Sequence, residues 1–174
     1  MRILTVVIFL CSFLGAYEYD KLLLRAQAYT FPKIVVMDKN YRHKLNDNTI
    51  EIAILYEPID KLVAVELKSM IKKKFGTKLS ASELDIKLVE FEKIDKVYSA
   101  YIALKSKKSI LEEVSSMSRE QGRILFAYDY QDLKRGALVS LVIENYTSLY
   151  MSKKEIKNSK IDFNSAIFSI VRLW

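Results

Sequence analysis

Apolar and polar positions alternate in two distinct rhythms along this chain, one of about 3.6 residues and one of two, and the changes between them mark out its elements. The first helical stretch runs from Tyr17 to about Tyr29 and is predicted to stop at Pro32, because proline lacks the amide that a helix interior needs. A second helix is predicted from Ile59 to Phe75, closed by Gly76. Its residues Leu62, Val63, Leu67, Met70, Ile71 and Lys74 recur at three- and four-residue spacing and predict one stripe against a core. Between the two, Asp38 to Asn48 is polar and turn-rich. Thr49 to Tyr56, reading Thr-Ile-Glu-Ile-Ala-Ile-Leu-Tyr, then predicts a strand that ends at Glu57-Pro58.

Further strands are predicted over Leu84–Phe91, Ala100–Leu104 and Arg123–Tyr128, with a helix over Lys107–Gln121 that Gly122 closes. Both helical segments are long enough for a crossover between parallel strands, so the order implies two right-handed βαβ units. After Gly136 the rhythm changes. Ala137–Ile143 and Tyr146–Met151 flank Glu144-Asn145, which reads as a two-residue turn in an antiparallel hairpin. A short helical turn near Lys153–Asn158 follows. Asp162 then reads as the N-cap of a last helix with Phe163, Ala166, Ile167, Ile170, Val171 and Trp174 on one face. The predicted fold class is therefore α/β: a mixed sheet from two βαβ units plus a C-terminal β-hairpin and a terminal amphipathic helix.

The start of the chain follows neither rhythm. Met1-Arg2 precedes an apolar run from Ile3 to Leu14, and Gly15-Ala16 leads into the polar Tyr17-Glu18-Tyr19-Asp20. A charged start, a short apolar centre and a small-residue exit describe a signal peptide, and the run is too short to span about 30 Å of hydrocarbon as a helix. Met1–Ala16 is thus predicted to direct export and to be removed, leaving residues 17–174 as one periplasmic domain. That assignment takes Cys11, the single cysteine, with it, so disulfides and thiolate chemistry are not expected in the mature domain.

Composition agrees with a folded domain, at 51% hydrophobic and 28% charged residues. The formal net charge of +7 becomes +6 when Arg2 is removed. Export argues against nucleic acid as the partner. The lysines also alternate with acids on helices, as in Glu66–Lys68, a pattern of solvated surface and not of a base-stacking platform.

Candidate chemistry is sparse. His43, the lone histidine, lies in the polar loop Tyr41-Arg42-His43-Lys44 and reads as a surface residue. No glycine-rich phosphate loop occurs, no cofactor is implied, and no metal site is expected, since two carboxylates such as Asp129 and Asp132 do not make one. Asp129 reads first as a helix-start cap. Ligands on open α/β sheets settle beyond the carboxyl ends of parallel strands, so Tyr56, Glu57, Tyr128 and Asp129 are the candidate ligand-binding residues. Phe168 and Trp174 are the candidate protein-interface residues, Phe168 because it falls off the main apolar stripe and Trp174 as aromatic area of the kind that anchors interfaces.

With that order of elements, the chain resembles the YfiR-like family of small periplasmic α/β regulators. The resemblance rests on Lys21 and Phe31-Pro32 in and after the first helix, on the two βαβ units, and on Gly136-Ala137-Leu138-Val139-Ser140-Leu141-Val142-Ile143 entering the hairpin. Leu149-Tyr150-Met151, Ile156 and the run from Ser159 to Leu173 extend it. Phe31 stands where that family usually has tryptophan, and Ser152 where it commonly has asparagine. These are signals of fold and carry no catalytic motif. What the resemblance implies is a protein-binding role, since a member of that family restrains a membrane-bound diguanylate cyclase through a periplasmic contact and others are fused to membrane sensor kinases.

The expected function is a non-enzymatic periplasmic regulatory or adaptor domain that binds the periplasmic part of an inner-membrane signalling protein. A structural component of an envelope complex such as the flagellar motor is the alternative, and a small-ligand-binding domain the second. The expected partner is accordingly a membrane-embedded protein or an envelope complex, with homodimerisation open.

Overall fold

The computed structural model describes residues 18–174, so the predicted signal peptide Met1–Ala16 lies outside the described residues. Helix α1 covers Lys21–Val35, strand β1 Thr49–Tyr56, helix α2 Lys61–Phe75, and β2 and β3 Lys78–Leu79 and Ser82–Glu90. Strand β4 covers Ala100–Ala103, α3 Lys108–Glu120 and β5 Ile124–Ala127. Strands β6 and β7 cover Val139–Ile143 and Thr147–Met151, α4 Lys153–Asn158 and β8 Val171–Leu173. All eight strands join one sheet in the order β2-β3-β1-β4-β5-β6-β7-β8.

Five central strands, β3, β1, β4, β5 and β6, are parallel, and β1 pairs with β3 on one side and β4 on the other. Both predicted βαβ units are present, and they run outward in opposite directions from β1. Such a sheet must be covered on both faces. Ile50, Ile52 and Ile54 of β1 therefore pack under α1 and α2, while Ala53 and Leu55 join the opposite core with Leu111 and Val114 of α3. Strict two-residue alternation decides which core each side chain enters.

Helix α1 continues past Pro32 to Val35, which corrects the predicted stop. Phe31, Pro32, Ile34 and Val35 are all buried, and the Phe31 ring stacks on Phe126 of β5 at 4.5 Å between centroids. Burying four such residues, each apolar side chain worth about 1.5–3 kcal/mol, outweighs the roughly 3 kcal/mol that an interior proline costs. On α2, Ala64, Leu67 and Ile71 are the buried row, with Val63 and Met70 half-buried. Leu62 is 82% exposed, contrary to the predicted stripe, because it projects from the side of α2 opposite that row.

The largest correction concerns the terminal amphipathic helix. Residues 162–174 instead make a bridge at Phe163 with Asp38, a short 3-10 turn at Ser165–Ser169 capped by Asn164, and the parallel strand β8. Phe163 and Ile167 are buried, whereas Ile170 is exposed. Ser, Asn and β-branched residues hold a helix weakly, and β7 offers an open edge of unpaired amides and carbonyls. Extended backbone satisfies those groups: Trp174 N donates to the Met151 carbonyl at 2.8 Å, and Lys153 N donates to that of Trp174 at 3.0 Å. Asp162 caps nothing and instead pairs with Lys39 at 3.0 Å. The hairpin turn is likewise one residue longer than predicted, since Ile143 opposes Thr147.

Gly136, at φ +100°, ends the 3-10 segment Tyr130–Arg135 against α3, where a Cβ would lie 2.0 Å from Ser115 Oγ. Gly76 shares a positive φ of +65° in open space. Gly136→Ala is expected to cost about 2–4 kcal/mol, combining backbone strain with loss of the Ser115 hydroxyl bond to the Gly136 carbonyl. Gly76→Ala should cost roughly 1–3 kcal/mol, the strain alone. Urea denaturation of the two variants beside wild type measures the difference.

Candidate functional site at the carboxyl edge of the sheet

Strands β1, β4 and β5 all end at the same edge, and the reversal of strand order between β1 and β4 opens a crevice there, the usual place for a ligand in sheets of this kind. In this chain Tyr19 fills it. Its hydroxyl donates to Asp60 Oδ2, ahead of α2, at 3.0 Å and accepts from the amide of Lys105, just past β4, at 3.0 Å. Its ring meets Tyr128, past β5, edge-on at 4.7 Å. One phenol thereby ties together the chain entering α1, the start of α2 and the ends of two strands.

Neighbouring bonds fasten the same entry segment. Asp20 caps α1 by accepting from Leu22 N and Leu23 N at 2.7 and 2.9 Å, and its own amide donates to the Tyr128 hydroxyl at 2.7 Å. Gln27 Nε2, on the buried side of α1, donates to the Tyr128 carbonyl at 2.8 Å. Lys105 Nζ donates to the Glu18 carbonyl at 2.6 Å and stands 5.3 and 5.4 Å over the Tyr19 and Tyr128 rings. Cation and rings thus share the wall, an arrangement worth about 0.5–2 kcal/mol.

Electrostatics fit a fixed latch. Burial, and then the Asp60 carboxylate, push the Tyr19 phenol well above its ordinary range, so it remains a hydrogen-bond donor at physiological pH. Burial also raises Asp60, with Glu57 adding to the effect and the Tyr19 bond opposing it.

Beside this latch a cavity of about 220 Å³ opens beyond β5, against the part of β6 that β5 does not reach. Tyr128, Asp129 and Tyr130 line one side, Asp20, Leu23 and Lys105 another, and residues 141–143 the third. The four predicted ligand residues therefore divide. Tyr128 and Asp129 line the cavity, while Tyr56 is buried in the core under α1 and α2 and does not line it, nor does Glu57. The intervening strand β4, whose end Tyr19 occupies, separates the pairs. A larger groove of about 450 Å³ lies on the α3 face of the sheet, between α3 and the segment that follows the carboxyl end of β3.

Asp129 also caps the 3-10 segment Tyr130–Arg135, as the sequence predicts, accepting from Gln131 N at 2.8 Å. Asp132, buried within that segment, pairs with Arg135 at 2.8 Å, yet burial pushes its carboxyl up to about 6. His43 is exposed. Among the described residues no group of three or more His, Cys, Asp or Glu could hold a metal ion, and no helix is long and apolar enough to cross a membrane. Phe168 and Trp174 flank β8, the last strand of the sheet, and do not line the cavity; they are 47% and 38% exposed, with Lys134 Nζ 5.7 Å over the indole.

Tyr19, Asp20, Asp60 and Lys105 were not singled out in the sequence. Asp20 and Asp60 each directly precede a helix, which was the available signal. The contribution of Tyr19 and Lys105 depends on two loops meeting in space.

No known protein family matches the chain, and no curated protein does. Solved structures do. A conserved domain protein from Vibrio cholerae O1 biovar El Tor str. N16961 superposes with a TM-score of 0.52 at 14% identity, covering 78% of this chain and 60% of that one. The ABC domain in complex with L-Trp from Streptococcus pneumonia gives a TM-score of 0.51 at 12% identity, covering 80% and 61%. The chain thus spans about three-fifths of the length of each. At these identities the likeness shows a shared α/β fold.

Tyr19→Phe is expected to destabilise the domain by about 1–3 kcal/mol, because it takes the phenolic donor from buried Asp60 and the acceptor from Lys105 N. Chemical denaturation measures it. Asp132 gives a pH signature. An acid whose folded pKa is raised binds more protons folded than unfolded, so its contribution falls as pH rises from about 4, the unfolded value, to about 6. The melting temperature of Asp132→Asn relative to wild type should therefore climb between pH 4 and 6.5 and level off above; a constant difference contradicts the assignment.

Proposed function

We propose that this chain is a non-enzymatic regulatory or adaptor domain of the cell envelope, one that docks the periplasmic part of an inner-membrane signalling protein onto the open edge of its sheet. The observation that carries the proposal is strand β8. It pairs with β7 on one side, and among the described residues no strand pairs with its other side. Around it Phe168, Ile170, Leu173 and Trp174 are exposed to 47%, 58%, 48% and 38%. An uncovered edge strand is a template for strand addition, and clustered apolar side chains beside it supply the area that a partner buries. At the carboxyl ends of the central strands, Tyr19, Asp60, Lys105 and Tyr128 bind one another and the main chain, which supports a structural role for them over an acid-base one.

Small-ligand binding is the second reading, favoured by the cavity at the carboxyl edge and by Tyr128 and Asp129 within its wall. The streptococcal domain of similar fold was solved with L-Trp, which is consistent with a ligand on such a scaffold.

Replacing Leu173 with Glu puts a charge into the docking edge while leaving a residue already 48% exposed free to reach water. The variant is expected to keep its melting temperature within about 2 °C, as surface substitutions do. It should lose most of the crosslinking to an integral membrane protein that a photo-reactive residue at position 168 gives in cells. Unchanged crosslinking, or crosslinking to no membrane protein, counts against the reading.

A further inference from the structure

We infer that the cavity beside Tyr128 receives a free α-amino acid with an apolar side chain. The inference rests on the small-ligand reading and gives it a chemical class. Residues of both signs line the same small space: Asp20 and Asp129, each with one carboxylate oxygen accepting from backbone amides, and Lys105, whose ammonium donates to the Glu18 carbonyl. A ligand with a single charge would meet one group of its own sign, whereas a zwitterion answers both.

The third wall is main chain. Strand β5 pairs with β6 only through Phe126↔Val139 and Ala127↔Ser140, while β6 runs on to Ile143, joined there to β7 alone. The edge of residues 141–143 that would face a longer β5 faces the cavity instead. Amides and carbonyls along an uncovered strand edge recognise backbone-like groups, here an α-carboxylate and an α-ammonium. Leu23 and Tyr130 add apolar surface for a side chain. At about 220 Å³ the space falls below the roughly 300–1,000 Å³ of sites for drug-sized molecules and is of a size for one amino acid.

Occupancy has a route into the fold. The Tyr128 hydroxyl holds the Asp20 amide, and Lys105 holds the Glu18 carbonyl. A ligand seated against Tyr128 and Lys105 thus touches both groups that fasten the entry to α1.

Calorimetry and thermal shift on the full chain test the inference with L-leucine, L-phenylalanine and L-tryptophan. N-acetyl-leucine, leucinamide, isoamylamine and 4-methylvalerate serve as single-charge controls, and a panel of sugars, nucleotides and dicarboxylates as unrelated probes. At least one amino acid is expected to bind, with each capped or single-charge analogue weaker by tenfold or more. Asp129→Asn, whose amide oxygen keeps the Gln131 cap, should weaken the amino acid at least tenfold while leaving the ligand-free melting temperature in place. Ile143→Trp should abolish binding by filling the cavity. Equal binding of an amine or an acid alone, or binding from the unrelated panel with none from the amino acids, overturns the amino-acid class and leaves the ligand-binding reading standing. No binding from any probe overturns both.

Discussion

Burial of the parallel strands on both faces is the constraint from which the rest of the molecule follows. β1 has Ile50, Ile52 and Ile54 on one face and Ala53 and Leu55 on the other, all fully buried, so neither face can be left to water. Helices must lie on both sides, and the crossovers that put them there send β3 one way from β1 and β4 the other. That reversal creates the crevice at the carboxyl edge.

What becomes of the crevice separates this chain from a general α/β scaffold. Tyr19 enters from the segment before α1 and bonds to Asp60 and Lys105, joining residues far apart in sequence through one hydroxyl. The cavity lies instead towards β5 and β6, where a two-residue ladder leaves the β6 edge uncovered. Tyr128 both holds the entry segment and lines that cavity. The far edge is different. There β8 is the last strand, and Phe168, Ile170, Leu173 and Trp174 in and beside it are exposed.

Much of the architecture was legible because periodicity and turn residues report local geometry. Apart from the two-residue β2, which was not predicted, the strands from Thr49 to Met151 and the helices ending at Phe75 and Glu120 lie within a few residues of their predicted positions, with Gly76 directly after the first helix and Gly122 two residues after the second. Of the cavity's lining residues, only Tyr128 and Asp129 were legible. Tyr128 and Asp129 follow from the rule that strand ends carry ligands, but Tyr56 and Glu57 obey the same rule and do not line the cavity. No rule about single strands could show that Tyr19 would occupy the space between them.

By itself the sequence determined the α/β class, the two βαβ units, the hairpin and the Asp129 cap, because each shows in patterns or interactions of residues close along the chain. Tertiary structure decided where those local preferences were overruled. Helix α1 passes through Pro32 because Phe31, Ile34 and Val35 find a buried surface beyond it. The last residues form a strand because β7 presents unpaired amides and carbonyls that a helix would leave unmet. Local propensities amount to about 1 kcal/mol or less per residue, with roughly 3 for an interior proline, whereas burying several large apolar side chains or satisfying a sheet edge is worth more in sum, so the long-range contact prevails.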